Sequence, residues 1–400
     1  MKIKVGVLFG GKSTEHEISI ISAIQAINYL DKSKYDVTPI YITKNNEFYV
    51  GDGIGDIKNY TKLDELLKKS QRVILTANQG KVDLIRYPLK KFGNNVVGQI
   101  EVAFPIVHGT NVEDGTLQGF LSMLNIPYVG CDVTSSAVGM DKYVMKTVLK
   151  EHGIPVLDCL RFTSVDYDFN IDDIVEKCES KIGYPVIVKP VNLGSSIGIT
   201  KAQNKDELLS ALDTAFSFAD VILIEKAITE LREINCAVLG DYTDAQASEC
   251  EEPLNATNIL SFEDKYMSGG KGAKGAKVTG GKGMASLARQ IPAKITDQKR
   301  DEIRKMAVDA FKCLGCNGVA RIDFMIDGAT DMVYLNEINT IPGSLSFYLW
   351  EPMGLPYAKL LDNMINLAFK RAREQSELTY SFDSNVLEGV NLGGAKGSKM

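Results

Sequence analysis

An arginine, two carboxylates and an amide recur on alternate positions of residues 318–343, GVARIDFMIDGATDMVYLNEINTIPG. The stretch reads as two strands joined at Asp327-Gly328, a dipeptide that accepts positive φ in a tight turn. Side chains alternate faces along a strand, so Arg321 and Asp323 share one face while Ile322 and Phe324 take the other. On the second strand Glu337 and Asn339 are expected to share a face with Val333 and Leu335. Arg321, Asp323, Glu337 and Asn339 on one face suit a Mg²⁺ ion holding a polyphosphate. Carboxylate and amide oxygens fit a hard cation, and a guanidinium fits a developing anion. A hairpin with a merely solvated polar face would read the same way over this segment alone.

Other segments carry further candidates. Leu193–Gly198, LGSSIG, lies between two expected strands, with Lys189 just before it. Its glycines let backbone approach phosphate oxygens, Ser195 and Ser196 donate, and Lys189 supplies a point charge. A surface hairpin tip has the same composition, and a Walker loop would instead run GK[ST] into a helix. Asp141-Lys142 opens a helix, where a solvated charge pair is the ordinary explanation. Glu225 and Glu233 flank an expected hairpin turn and suit a nucleoside, though either alone reads as surface charge. His108 follows a buried strand and precedes a glycine, a loop position that favours binding or catalysis over core packing. Glu113-Asp114-Gly115 reads as the acidic start of the next helix.

The elements that must position these groups are legible in outline. Four hundred residues suggest two or three domains. The net charge of −6 argues against a nucleic-acid footprint. Met1–Gly6 runs straight into a strand, without a signal-peptide pattern, and no apolar run is long enough to span a bilayer. The seven cysteines show no disulfide framework, which suits a cytoplasmic protein, and Cys313-Leu-Gly-Cys316 reads as structural. Residues 3–9 form a buried parallel strand, then a glycine turn and a helix over Ser13–Leu30, the opening of an α/β domain. Val37–Ile42, Val73–Leu75 and Phe104–Val107 are further strands, and Thr116–Leu124 a helix. Glu15 and His108 then sit at strand carboxyl ends, where such folds bind ligands.

An α+β section follows, with a helix over Asp141–Glu151, strands at Tyr184–Lys189, Gly198–Lys201 and Val221–Ala227, and a helix over Lys205–Phe218. Glu233–Leu239 is expected to pair with the last of these strands. Residues 268–285, SGGKGAKGAKVTGGKGMA, lack apolar periodicity and read as a lid loop. Helices over Asp301–Leu314 and Tyr357–Arg373 flank the central hairpin, and Asn385–Met400 is expected to fray.

Taken in order, the motifs resemble those of the D-alanine–D-alanine ligase family of the ATP-grasp superfamily. They are GGKSTEHEIS (Gly10–Ser19), HGTNVEDGTLQG (His108–Gly119), IPYVG, MDK (Met140–Lys142), YPVIVKP with GSSIG, EDKY (Glu263–Tyr266), ARIDF and NEINTIPG. The resemblance implies an α/β and α+β chain of three domains. An N-terminal parallel-sheet substrate domain spans 1–130, a central ATP-grasp subdomain 131–227 and a C-terminal one 228–382, followed by a tail, 383–400. ATP would phosphorylate the carboxylate of one small amino acid, and the amine of a second would displace phosphate.

By the same resemblance Lys142, Lys189 and Ser196 bind phosphates, and Glu225, Glu233 and the backbone of Ala227 bind adenosine. Asp323, Glu337 and Asn339 would hold two Mg²⁺ ions. Glu15 would orient the first ammonium, bracing a lid through Ser195 and Tyr266. Arg321 and the Gly343 N–H would serve the reacting carbonyl, and His108, Ser346 and Tyr348 the substrates. A homodimer through the N-terminal domain is also implied, with no nucleic-acid or membrane partner. Three departures stand out. Val112 replaces a usual glycine, ITELRE replaces a shorter hinge, and Ser344–Pro352 (SLSFYLWEP) replaces a Thr/Ser-rich turn. Tyr348 there stands in place of a serine that grips the second carboxylate. Alternatives are therefore a ligase using D-serine, D-lactate or an L-amino acid as second substrate, or a silent nucleotide-binding regulator.

Overall fold

The apolar run Ile3–Gly10 is buried along most of its length and lies inside a seven-stranded sheet, as its composition requires. The computed structural model describes residues 2–254, 289–386 and 388. The first sheet contains β1 (Ile3–Gly10), β2 (Tyr35–Ile42), β3 (Phe48–Val50), β4 (Gln71–Asn78), β5 (Lys81–Arg86), β6 (Val96–Ile100) and β7 (Val102–Pro105), in the order β6-β5-β4-β3-β2-β1-β7. Only β2-β1-β7 is parallel; the other pairs are antiparallel, so the expected parallel sheet is a mixed one. Parallel strands need long crossovers, which helix His16–Tyr29 supplies between β1 and β2, whereas a short turn joins β4 to β5.

The second sheet runs β10-β9-β11-β8, from β8 (Cys159–Thr163), β9 (Val186–Pro190), β10 (Thr200–Ala202) and β11 (Val221–Lys226), all antiparallel. Helices Ser164–Lys181 and Lys205–Phe216 share its core, through Ile174, Cys178, Leu208 and Leu212. The third sheet runs β14-β13-β12-β15-β16, from β12 (Leu231–Gly240), β13 (Ala245–Pro253), β14 (Arg289–Gln290), β15 (Gly318–Asp327) and β16 (Met332–Asn339). The expected pairing of residues 233–239 with β11 does not occur. β12 pairs with β13 and β15 instead, and residues 227–230 carry the chain from the second sheet to the third.

The central hairpin forms, with two corrections. Four turn residues, 328–331, join its strands, and Asp331 takes the positive φ of 58°. The register also shifts: Asp323 faces Glu337 while Phe324 faces Leu335, so Asn336 is an extra residue in a bulge. The bulge reverses the alternation. Val333 and Leu335 therefore enter the core with Ile326 and Phe324, opposite to the face that Glu337 shares with Asp323.

The chain after the hairpin returns to the first sheet. Residues 343–349 and helix Tyr357–Ser376 share the core of β1, β2 and β7, with Trp350 only 1% exposed. Phe347 stacks on Tyr357 with ring centroids 4.5 Å apart, and it also neighbours Tyr29 of the first helix and Tyr348. Truncating Trp350 to alanine would cost about 3–5 kcal/mol by cavity formation. Val112 is buried against Gly11. A Cβ on Gly11, whose φ is +93°, would lie 2.4 Å from a Val112 methyl, so glycine is required there.

Three buried polar side chains fix the backbone between the hairpin and this returning segment. Glu113 Oε1 accepts the Ile341 N–H at 2.8 Å and the Thr340 hydroxyl at 3.3 Å, and Oε2 accepts the Gly109 N–H at 2.9 Å. His108 Nδ1 donates to the Ile341 carbonyl at 2.8 Å, so its Nε2 accepts from Ser22 Oγ at 3.0 Å. Ser22 Oγ in turn accepts the Ser344 N–H at 3.0 Å. Glu113 is thus no helix cap: Gly115 holds the N-cap position of the next helix, without a side-chain bond.

Burial pushes the Glu113 carboxyl up to about 8, with the Glu15 charge adding to the rise against its hydrogen bonds. A carboxyl raised on folding stabilises fully below its unfolded value, and that contribution is lost as pH rises through about 8. Glu113→Gln is expected to cost about 1–3 kcal/mol at pH 5, because one backbone N–H loses its acceptor. It should also flatten the fall in stability between pH 5 and 8.5. Urea unfolding of both proteins across that range checks this; identical slopes would refute the buried, raised carboxyl.

Candidate active site

One cavity of about 730 Å³ is lined by strands of the second and third sheets, by the start of the first helix and by the loop after β7, a volume suited to a nucleotide and small substrates. Its cations and carboxylates are paired across elements. On the second sheet Lys189, from β9, is bonded to Glu225 of β11, and Lys146 Nζ lies 3.0 Å from the other Glu225 oxygen. Burial alone would raise the Glu225 carboxyl, but Lys189 and Lys146 pull it below its ordinary value. Burial lowers Lys146 despite that partner. Lys189 Nζ also donates to Asn336 Oδ1 at 3.2 Å, which ties the second sheet to the bulge of the third.

Helix Lys142–Glu151 is capped by Asp141, whose carboxylate accepts the N–H groups of Tyr143 and Val144. Capping turns Lys142 inward, where it is 4% exposed; its Nζ donates to Leu193 O at 2.7 Å and lies 3.2 Å from Glu337. Lys142 therefore spans from the Gly-Ser loop to the carboxylate face. In that loop Ser195 and Ser196 adopt positive φ, a conformation that turns successive N–H groups towards one side. Ser195 donates to Glu15, and Gly194 lies so close that a Cβ there would meet Glu15 Oε2 at 3.0 Å.

On the third sheet Arg321 Nε and Nη2 fork onto Asp323, both at 2.7 Å, and Asn339 Nδ2 donates to Asp323 at 3.1 Å. Burial pushes the Asp323 carboxyl up; Arg321 opposes that, while Glu337 and Glu251 add to it. Glu251 enters here although nothing in the sequence marked it. It faces Asn235 across β12–β13 and is 2% exposed. Its oxygens accept from Asn235 at 3.0 Å, Arg289 at 2.6 Å and the Tyr348 hydroxyl at 3.4 Å.

The cavity thus brings together Glu15, Lys142, Lys189, Ser195, Ser196, Glu225, Ala227, Glu233, Arg321, Asp323, Glu337, Asn339 and Gly343, with His108 also in its wall. The Ala227 N–H is given to Pro185 O at 3.0 Å, so its carbonyl is the remaining backbone group. His108 Nδ1 bonds the Ile341 carbonyl directly, while Nε2 bonds Ser22, which in turn accepts the Ser344 N–H. Ser346 and Tyr348 are not among the residues lining the cavity; both are buried behind it. Tyr266 and the tract 268–285 lie outside the described residues, as does most of the tail. Asn235, Glu251, Arg289 and Asn336 were missed. Alternation along residues 245–253 would have placed Glu251 opposite Asn235, but that strand lacks apolar periodicity. Lys146 carried a usable signal, standing one helical turn after Lys142.

Comparison with known proteins agrees with this geometry. Residues 4–131 match the family described as D-ala D-ala ligase N-terminus, and residues 148–366 the one described as D-ala D-ala ligase C-terminus. A D-alanine–D-alanine ligase of Thermosipho melanesiensis is 40% identical over 386 residues, covering 96% of this chain and 98% of that protein. One from a Thermoanaerobacter species is 42% identical over 381 residues, with 94% and 98% coverage. Among solved structures, the D-alanine–D-alanine ligase of Coxiella burnetii superposes with a TM-score of 0.76 at 32% identity, covering 94% of this chain and 96% of its own. The VanG D-Ala:D-Ser ligase of Enterococcus faecalis gives 0.74 at 30% identity, covering 92% and 100%. The chain belongs to the D-alanine–D-alanine ligase family and has its ATP-grasp fold.

Proposed function

We propose that this chain is a cytoplasmic, ATP- and Mg²⁺-dependent ligase that joins D-alanine to D-alanine for peptidoglycan precursor synthesis. One observation carries the reading. Two lysines, an arginine–carboxylate fork and a facing pair of carboxylates converge in one cavity, with Glu15 and Ser195 bonded in its wall.

The residues fit the metal. Asp323 and Glu337 stand directly opposite each other, and the Glu337 charge helps to push Asp323 up, a crowding that a divalent cation relieves. Asp323, Glu337 and Asn339 would supply its oxygens. When bound, ATP supplies the phosphoryl group that activates the first carboxylate, and Mg²⁺ neutralises charge on the phosphates.

The remaining work falls to this chain's own groups. Lys142, Lys189, the Ser195 and Ser196 amides and the Ser196 hydroxyl bind phosphate oxygens, while the Ser195 hydroxyl is given to Glu15. Glu225 acts through Lys189, which it aims, while Glu233 and the Ala227 carbonyl hold the nucleoside. Glu15 takes the ammonium of the first amino acid. Arg321 and the Gly343 N–H stabilise the oxyanion that forms as the second amine attacks. His108 acts by holding the turn that presents Gly343. The nucleotide would lie between residues 131–227 and 228–382. Residues 1–130 supply Glu15 and the surface through which two chains would pair.

ADP release with Mg²⁺-ATP and D-alanine alone, with the dipeptide as product, is the expected outcome. Turnover only with another pair, such as D-alanine with D-serine, would keep the ligase and move the specificity. Tight ATP binding without turnover on any amino acid would favour a regulator. Glu337→Gln should lower turnover by about 10²-fold or more while leaving the thermal midpoint nearly unchanged. Undiminished turnover in that variant would remove Glu337 from the metal face.

A further inference from the structure

One section of the cavity wall has no task in the ligase reading: Asn235, Glu251, Pro253 and Arg289, along the third sheet. The nucleotide end is supplied by Lys189, Ala227 and Glu233, the first substrate's end by Glu15, and the phosphate face by Asp323, Glu337 and Asn339. A second amino acid must reach the same carbonyl from the side these leave, and it arrives with a carboxylate that needs a cation.

Arg289 is built for that role. Its guanidinium carbon lies 4.0 Å from the centroid of the Tyr348 ring, and its Nη1 donates to Glu251 at 2.6 Å. Stacking fixes the plane of the guanidinium and the carboxylate fixes its rotation, and such a planar fork carries five N–H donors. Glu251 is itself held by Asn235 and Tyr348. A buried ion pair adds little to stability compared with apolar packing, so its place in a cavity wall is better explained by what the cavity receives. The turn offers no substitute. Ser344 and Ser346 are fully buried, with φ of 53° and 49°, and neither hydroxyl has a partner among the described residues. Neither side chain lines the cavity.

Resting on the ligase reading, we propose that Arg289 takes the α-carboxylate of the second amino acid and so determines specificity at that subsite. Glu251 and Tyr348 are positioning residues that hold it. Tyr348, at the position where the family resemblance implies a serine, is then a platform for the arginine and no direct ligand.

The test uses the full chain with Mg²⁺-ATP, D-alanine as first substrate, and D-alanine or D-alaninamide as competing nucleophiles, with products separated by mass spectrometry. In Arg289→Met the second-site KM for D-alanine should rise about 10–100-fold, more than kcat falls, while the first-site KM and the KM for ATP stay within about threefold. The preference for D-alanine over D-alaninamide should fall by at least about tenfold. Arg289→Lys should restore part of that preference, and Glu251→Gln should weaken it less than Arg289→Met does. A purely structural arginine would lower turnover with both nucleophiles alike, and an unchanged preference in Arg289→Met and Glu251→Gln overturns the proposal. Absence of ADP release by the unmodified protein with every amino acid overturns the ligase reading and the proposal with it.

Discussion

Charge cannot be withdrawn from water without a partner, and that constraint governs the centre of this molecule. Every cavity-wall ion pair described above joins residues in different elements, apart from the Arg321–Asp323 fork. Lys189 of the second sheet meets Asn336 of the third, Lys142 reaches Glu337, and Ser195 reaches Glu15 at the start of the first helix. The ion pairs therefore do more than line a site. They make the relative placement of the three sheets part of the electrostatics, because displacing one sheet would strand a buried lysine or carboxylate. On the proposed reading, substrate phosphates and carboxylates would enter a space where those charges already stand fixed, and such prior orientation is what makes electrostatic stabilisation effective.

The backbone near the reacting centre is held by a different device. His108 Nδ1 and Glu113 Oε1 hold residues 340–341, and Ser22, itself bonded to His108 Nε2, extends the grip to Ser344. A neutral imidazole suits this, since Nδ1 must donate to a carbonyl while Nε2 accepts a hydroxyl proton. Burial lowers the imidazole to about 4, keeping it in that form around neutrality. Three consecutive left-handed residues, Ser344, Leu345 and Ser346, are strained conformations for side-chain-bearing residues, and they persist only where surroundings over-determine them. The clamp on one side and the Phe347–Tyr357 stack on the other provide that.

How much of this the sequence disclosed depended on periodicity. Arg321 and Asp323 were legible because β15 alternates regularly, and Lys189, Ser195 and Glu15 because glycine turns mark the ends of strands. Val333 and Leu335 were placed on the wrong face because a bulge leaves no trace in composition. The single extra residue at Asn336 inverts everything before it. The partner of β12 was misjudged for a related reason, since adjacency in sequence favours a hairpin and nothing local reports a chain leaving one sheet for another. Glu113 looked like a helix-start acid because its true partners, at 340–341, are more than two hundred residues away. Glu251 was invisible since β13 alternates among polar residues without the apolar signal that betrays a strand.

The two halves of the wall are coupled, and this bears on how specificity and chemistry are divided. Arg321 is forked to Asp323 yet also feels the charge of Glu251, and Glu251 in turn raises Asp323. Glu251 therefore interacts both with Arg289, by a hydrogen bond, and with the Arg321–Asp323 fork, through its charge. On the proposed reading, a change at residues 251 and 289 would alter the field at Arg321 and Asp323 even when no contact there is touched. Residues this close in one charge network do not contribute independently, so their combined effects depart from additivity. The arginine fork limits the disturbance. Both of its hydrogen bonds to Asp323 are short and parallel, a geometry that resists reorientation when a neighbouring charge is lost. On the proposed reading, substrate preference would thus shift through residues 251 and 289 with Asp323, Glu337 and Asn339 held in place, and the fork at 321–323 would set how far that separation extends.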